Sequence, residues 1–325
     1  MAESKSVVLA ALFANGAIAI LKFVGFLLTA SPAMLSETFH SISDTGNQVF
    51  LLIGIRYSGR EPDARHPFGY GKAEFFYSFL VSVLLFGIAG WESATHGYEK
   101  IRAALAGTGG HHVPQQPELL GVQFPAVYVN YAVLVGAIVF EAYAFKKARA
   151  SMKRQIEAKG WSGYREAFRK TSHVTTLTAF TEDFIAMAGA GIALFGVWLT
   201  QVTENPIFDA MAATLIGFLL MGFALALAWE NKRLLLGESV PESARGDLRD
   251  LVAESEGVDA VVDFRTTFYG PGEVIVVADV DFQDDLTVVE VGERIDAIEA
   301  ALQTADPEVI AAYVEVEEDG ASSVQ

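Results

Sequence analysis

Long apolar stretches, separated by short polar connections, fill the chain as far as Leu236. A bilayer-spanning helix needs about 20 mostly apolar residues. Six stretches meet that length, at approximately Ser6–Leu28, Pro32–Ile55, Phe75–Gly97, Pro125–Phe145, Val174–Leu199 and Ile207–Trp229. The second and fifth are interrupted by polar residues. The first has too long an apolar run for a secretory signal, and no small-residue cleavage pattern follows it.

After Gly237 the pattern changes. Pro241–Ser255 reads as a helix with proline at its start. Val258–Phe268 and Val274–Phe282 alternate as strands, joined by the turn residues Tyr269, Gly270, Pro271 and Gly272. Leu286–Leu302 has helical periodicity and Val309–Val316 closes as a strand. The expected architecture is therefore a six-helix transmembrane domain over 1–236, followed by an α/β domain over 237–325. The order α-β-β-α-β of that domain suits a ferredoxin-like sandwich.

Charge separates the same two parts. Residues 1–236 carry 17 acidic and 19 basic side chains, whereas residues 237–325 carry 23 acidic and 4 basic ones. The acidic tail repels nucleic acid and anionic head groups, and suits cations or a salt-rich solvent. Sixteen of the 19 basic residues fall on one side if the N-terminus is inside, leaving only Lys100 and Arg102 outside and Lys22 within the first span. Both termini are therefore expected in the cytoplasm of a multi-pass cell-membrane protein. With 52% apolar residues, 19% charged residues and mean hydropathy +0.33, disorder and a coiled coil are excluded. The absence of cysteine excludes disulfides, iron–sulfur sites and thiolate zinc sites. Any metal must be held by His, Asp and Glu.

Ionisable residues in mid-membrane cost about 2.5–3.5 kcal/mol even on lenient insertion scales, so they mark function. The second span holds His40 and Asp44, four apart on one helical face, with Asn47 and Gln48 close by. The fifth holds Glu182 and Asp183. At about 1.5 Å per residue, Asp44 and Asp183 reach similar depth near the middle of a roughly 30 Å hydrocarbon layer. A nitrogen and oxygen set of His40, Asp44 and Asp183 suits zinc or a neighbouring divalent ion. Two carboxylates brought close without a cation repel, so protons are the natural substitute when metal leaves, a physical basis for antiport.

These paired motifs, the six spans, the segment Asp63-Ala64-Arg65-His66-Pro67-Phe68-Gly69-Tyr70-Gly71-Lys72-Ala73-Glu74 and the α/β tail together resemble the cation diffusion facilitator family. The run from His40 to Gln48 followed by Glu182-Asp183 is similar to the branch containing the zinc-transporter-nine-like proteins. The resemblance implies a homodimer that exports a divalent cation, usually zinc, in exchange for protons. It implies a transport site of His40, Asp44 and Asp183, with Glu182 or water as the fourth ligand and Glu182 otherwise a proton carrier, and a cytoplasmic-loop site using Asp63 and His66. Three departures stand out. The family's usual ligand four before Asp183 is Ala179, the third loop ligand is replaced by Tyr70, and no histidine follows His173.

Other polar residues have plainer expectations. Lys22 and Glu37 flank the tight turn at Thr29–Ala30 nearly symmetrically and should pair. Glu141 is either a proton carrier or a buried hydrogen-bonding group. Glu92 and His96 fit an interface, His111 and His112 an exposed loop, and Asp209 a helix start. Asp279, Asp281, Asp284 and Asp285 read as a solvated acidic face. The rival functions are a membrane-embedded metalloenzyme and a cation channel using the same residues. The enzyme is disfavoured because the one Glu-x-x-His in the spans, Glu37–His40, has no second copy. No prosthetic group is expected; manganese, iron, cobalt and nickel remain alternatives to zinc as the transported ion.

Overall fold

The computed structural model describes residues 2–106, 118–119, 122–123, 125 and 127–317. The expected loop at Gly107–Gln116, with His111 and His112, and the chain end at Gly320–Gln325 lie outside these residues. The chain forms two compact units, one comprising 1–56, 76–168 and 174–231, the other 57–75, 169–173 and 232 onwards.

The first unit is helical. Helix α1 (Ala2–Thr29) turns tightly into α2 (Pro32–Ser58) through Ala30, which takes a left-handed φ of 52°. The local sequence explains this corner. Ser31 caps α2 by accepting the Met34 N–H at 3.2 Å, and Pro32 occupies the first helical position, where a missing N–H costs nothing. Next come α3 (Lys72–Leu84), a wide π-turn (Leu85–Gly90) and α4 (Trp91–Leu105), in one continuous rod. The two-residue strands β1 (Glu118–Leu119) and β2 (Val122–Gln123) pair antiparallel. Then follow α5 (Val127–Lys159), the short α6 (Tyr164–Lys170), α7 (Val174–Thr203) and α8 (Ile207–Leu235).

Among the described residues, four helices are long and apolar enough to cross a membrane: 72–105, 127–159, 176–203 and 207–235. Helix α1 offers a shorter apolar stretch, Asn15–Thr29. Helix α2 is long but polar, and it is buried: Ser36, Glu37, Thr38, His40, Ser41, Ser43, Asp44 and Asn47 all face inward. A core of Met34, Leu85, Leu134, Ile185, Val197, Ile216, Leu220 and Leu227 joins α2, the π-turn, α5, α7 and α8. Large apolar side chains such as Val139, Phe195, Phe218, Leu225 and Trp229 point outward. That outer apolar surface is what a lipid-embedded protein requires.

In the second unit, α9 (Glu242–Ala253) and α10 (Val288–Ala305) cover one face of a sheet ordered β3 (Val258–Gly270), β4 (Glu273–Phe282), β5 (Val309–Val316). β3 and β4 run antiparallel; β4 and β5 run parallel, as the intervening helix requires. Leu248, Val252, Ile298 and Leu302 are buried with Phe264, Phe268, Val276, Ala278 and Val280. Thr287 starts α10 with a reciprocal capping box to Glu290. The β3–β4 turn meets the 57–75 segment at Gly71, where a Cβ would lie 2.8 Å from the Tyr269 carbonyl, and Tyr269 donates to the Gly69 carbonyl at 3.0 Å.

Candidate metal centre

His40 and Asp44 lie on the buried face of α2, with the His40 Nδ1 3.4 Å from Asp44 Oδ1. That separation is longer than a normal hydrogen bond. Both His40 ring nitrogens and Asp44 Oδ1 are buried and have no hydrogen-bond partner among the described residues. Burying such atoms without partners is costly, and ligand-binding atoms are a standard reason for it. From α7, the Glu182 carboxylate comes within hydrogen-bonding reach of Asp44 and of Asn47, while its Oε1 also lacks a partner.

Asp183 occupies the next position on α7, about 100° further round the helix. It is half-buried, with Glu182 and Glu141 of α5 as its charged neighbours. The structure thus brings Asp44 and Glu182 together beside His40, with Glu141 of α5 among their charged neighbours and Asp183 one position further round α7. Among the described residues, no three His, Asp or Glu side chains are gathered closely enough to hold an ion together. Sequence reasoning marks Asn47 as a neighbour of His40 and Asp44, but not as a partner of Glu182. Its signal was available: it stands three residues after Asp44 and is buried in the same helix face.

Lys22 and Glu37 form the expected ion pair, Nζ to Oε2 2.8 Å, and both are fully buried. Asp209 stands in the first turn of its own helix, as expected from sequence, and its side chain also reaches α2. Its carboxylate accepts hydrogen bonds from the Ser31 hydroxyl and the Ala33 N–H, over the exposed donors of the first turn of α2.

The second candidate set, Asp63 and His66, belongs to the other unit. Asp63 Oδ1 accepts the N–H groups of Arg65 and His66, each at 2.8 Å, and Oδ2 accepts the Tyr70 hydroxyl at 2.7 Å. These bonds, Tyr70 first, hold the Asp63 carboxyl down at about 2 and push the Tyr70 phenol upward. The His66 ring stacks 4.1 Å from that of Tyr70, and its Nδ1 is 3.5 Å from Asp63 Oδ1. Tyr70, which replaces a ligand of the family pattern, converts the carboxylate into the pivot of a closed turn. In the tail, Asp284 and Asp285 are exposed, as expected of a solvated acidic face, but Asp279 is buried and paired with Arg265, which also meets Asp263 at 2.9 Å.

A buried polar helix packed among long apolar ones, with an outward apolar surface, defines a membrane protein. Residues 8–236 match the family described as the cation efflux transmembrane domain, and the chain belongs to that family. It is a family of transporters, not of enzymes. Among its relatives is the human "Proton-coupled zinc antiporter SLC30A9, mitochondrial", 31% identical over 276 residues, covering 85% of this chain and 45% of that protein. Another is the "Cation-efflux pump FieF" of Escherichia coli O127:H6, 24% identical over 284 residues, covering 87% of this chain and 82% of that one. The chain spans about half the length of the zinc-antiporter relatives it matches. A solved structure, "MamM CTD - Copper form", is similar over 25% of this chain and 91% of its own, with 19% identity and a TM-score of 0.22.

Proposed function

We propose that the protein is a secondary transporter that carries a divalent cation, zinc foremost, out of the cytoplasm in exchange for protons. The observation that carries this reading is the buried contact of Asp44 with Glu182 beside His40, with nitrogen and oxygen atoms that have no partner among the described residues. A divalent ion supplies partners to such atoms; protons supply them when the ion leaves. Asp183 joins the set from the next position on α7, through a rotation of that helix by about 100° that turns it toward Asp44. His40, Asp44, Glu182 and Asp183 are thus the transport ligands, and Asp63 and His66 a loop that feeds cations toward them.

In this reading the chain crosses the membrane six times, with α2 included by virtue of its buried polar face, and both termini are cytoplasmic. Residues 1–236 are the transporting domain, and 237–325 a ferredoxin-like cytoplasmic domain through which two copies associate. The names given to the human and bacterial relatives, a proton-coupled zinc antiporter and a cation-efflux pump, support the same class of activity.

The test is metal flux into proteoliposomes, with and without a pH gradient, over a panel of zinc, manganese, iron, cobalt and nickel. Zinc flux that follows the proton gradient and disappears in Asp44→Ala and Asp183→Ala is expected. Wild-type flux in either variant defeats the assignment, and flux indifferent to the gradient favours a channel.

A further inference from the structure

The pair formed by Lys22 and Glu37 is more than a hairpin clasp, because of where Glu37 lies. On α2, Glu37 precedes His40 by three residues and Asp44 by seven, so the three share one face. On α7, Gly189 follows Glu182 by the same seven residues. Asp44 meets Glu182, and Glu37 meets Gly189: a Cβ added at Gly189 would lie 2.6 Å from Glu37 Oε1. The two helices therefore run antiparallel in register along one seam, and Glu37 sits two turns, about 10 Å, from the Asp44–Glu182 contact.

Glu37 has the features of a cation ligand. It is fully buried, and its Oε1 has no hydrogen-bond partner among the described residues, like both nitrogens of His40 one turn away. Its other oxygen is taken by the Lys22 ammonium at 2.8 Å, with Lys22 also fully buried. The same ammonium lies within electrostatic range of Glu141, Asp44 and His40. A buried ammonium with a single anchoring carboxylate, set among further ligands, occupies the place a mobile cation would take.

Building on the proposed transport site, we infer that Lys22 is a specificity-determining residue. Its ammonium is a tethered cation that fills a second carboxylate station at Glu37 on the α2–α7 seam and holds the protein to one divalent ion at a time. Without Lys22, the Glu37 carboxylate is a buried anion without a counterion, and a divalent ion is the available replacement.

The experiment measures zinc retained per chain by the purified full-length protein in detergent, by equilibrium dialysis and elemental analysis, together with melting temperatures with and without zinc. Wild type should retain about one ion at the buried site, and Lys22→Met about two, because the freed Glu37 carboxylate opens a second station on the seam. The Lys22→Met melting temperature should rise more on adding zinc than that of wild type. Lys22→Met/Glu37→Gln should return to the wild-type count. If Lys22→Met does not fold, Lys22→Gln, which keeps a donor for Glu37 without the charge, serves in its place.

Wild type holding one ion and a folded Lys22 variant holding no more overturns this inference alone. Wild type holding none overturns the transport-site reading and this inference with it. Failure of both Lys22 variants to fold even with zinc overturns the inference too, since a pair that a divalent ion cannot replace is purely structural.

Discussion

The packing of α4 against α8 makes a sharp prediction about one glycine. At Gly217 a Cβ would lie 2.4 Å from the Ala94 N, 2.7 Å from its Cα and 2.8 Å from its Cβ. Ordinary contacts between carbon atoms are about 3.5–4.0 Å. Gly217→Ala therefore pushes the helices apart by roughly 1 Å, and no rotamer relieves a clash with backbone. The same seam holds Gly97 against Thr214 and Ala210, and Gly90 against Met221, so separation propagates along it. Overpacking of this kind costs about 1–3 kcal/mol, typically more than the gain of up to about 1 kcal/mol from replacing glycine in a helix.

Gly222, also in α8, supplies the control: it is exposed, and a Cβ there meets nothing within 4 Å. Gly222→Ala should leave stability unchanged or raise it by up to about 1 kcal/mol. Detergent melts of the two variants beside wild type read the difference, with Gly217→Ala lower by a few degrees. If Gly217→Ala melts as high as Gly222→Ala, the close approach of α4 and α8 is refuted, because the propensity gain is common to both.

Three further outcomes follow from named contacts. The Asp63 carboxyl titrates near 2 against an ordinary 3.8, so its contribution to the turn is complete above about pH 4 and fades as pH falls toward 2; an NMR titration should show this midpoint, and a Tyr70→Phe midpoint that has not moved upward contradicts the role given to Tyr70. Thr287→Ala removes the cap of α10 and should cost that helix about 1 kcal/mol, seen as faster amide exchange in its first turn, with Thr287→Ser near wild type. Asp209→Ala leaves the Ser31 hydroxyl and the Ala33 N–H without their buried acceptor and should lower stability by about 1–3 kcal/mol; a melting temperature equal to wild type argues that α2 does not depend on α8 for its cap.

The helices were legible where apolar runs mark them, and their ends were not. Helix α5 continues to Lys159, well beyond the expected end at Phe145, because hydropathy senses the lipid whereas the helix persists through charged turns, with Lys153 and Glu157 paired at 3.4 Å. Helix α6 escaped notice because seven residues, Tyr164–Lys170, carry too little periodicity. The π-turn at Leu85–Gly90 has no sequence mark; the close Gly90 approach to Met221 belongs to tertiary packing. The Lys22–Glu37 pair was legible because both lie nearly equal distances from one tight turn. The partner of Asp209 was not, since it lies some 180 residues away in sequence. Spacing put Glu182 and Asp183 at the right depth, but only the rotation of α7 decides which of them meets Asp44.

Helix α2 ties the site to the assembly of the whole helical unit. Its polar residues keep it out of the set of helices apolar enough to cross a membrane alone, yet its polar face is buried. Such a helix gains little from lipid and is held by its neighbours: Lys22 of α1 at Glu37, Asp209 of α8 at its first turn, and Glu182 of α7 at Asp44 and Asn47. Each of these partners compensates a group that would be expensive to bury alone. Binding an ion between α2 and α7 adds one more such partner, so occupancy and the seating of α2 are thermodynamically linked. A cation at His40, Asp44 and Glu182 should therefore raise the melting temperature of the helical unit, and by less in Asp209→Ala, whose α2 is seated in a smaller fraction of molecules and so binds the ion more weakly. An equal shift in the two proteins would mean that α2 is seated independently of its ligands.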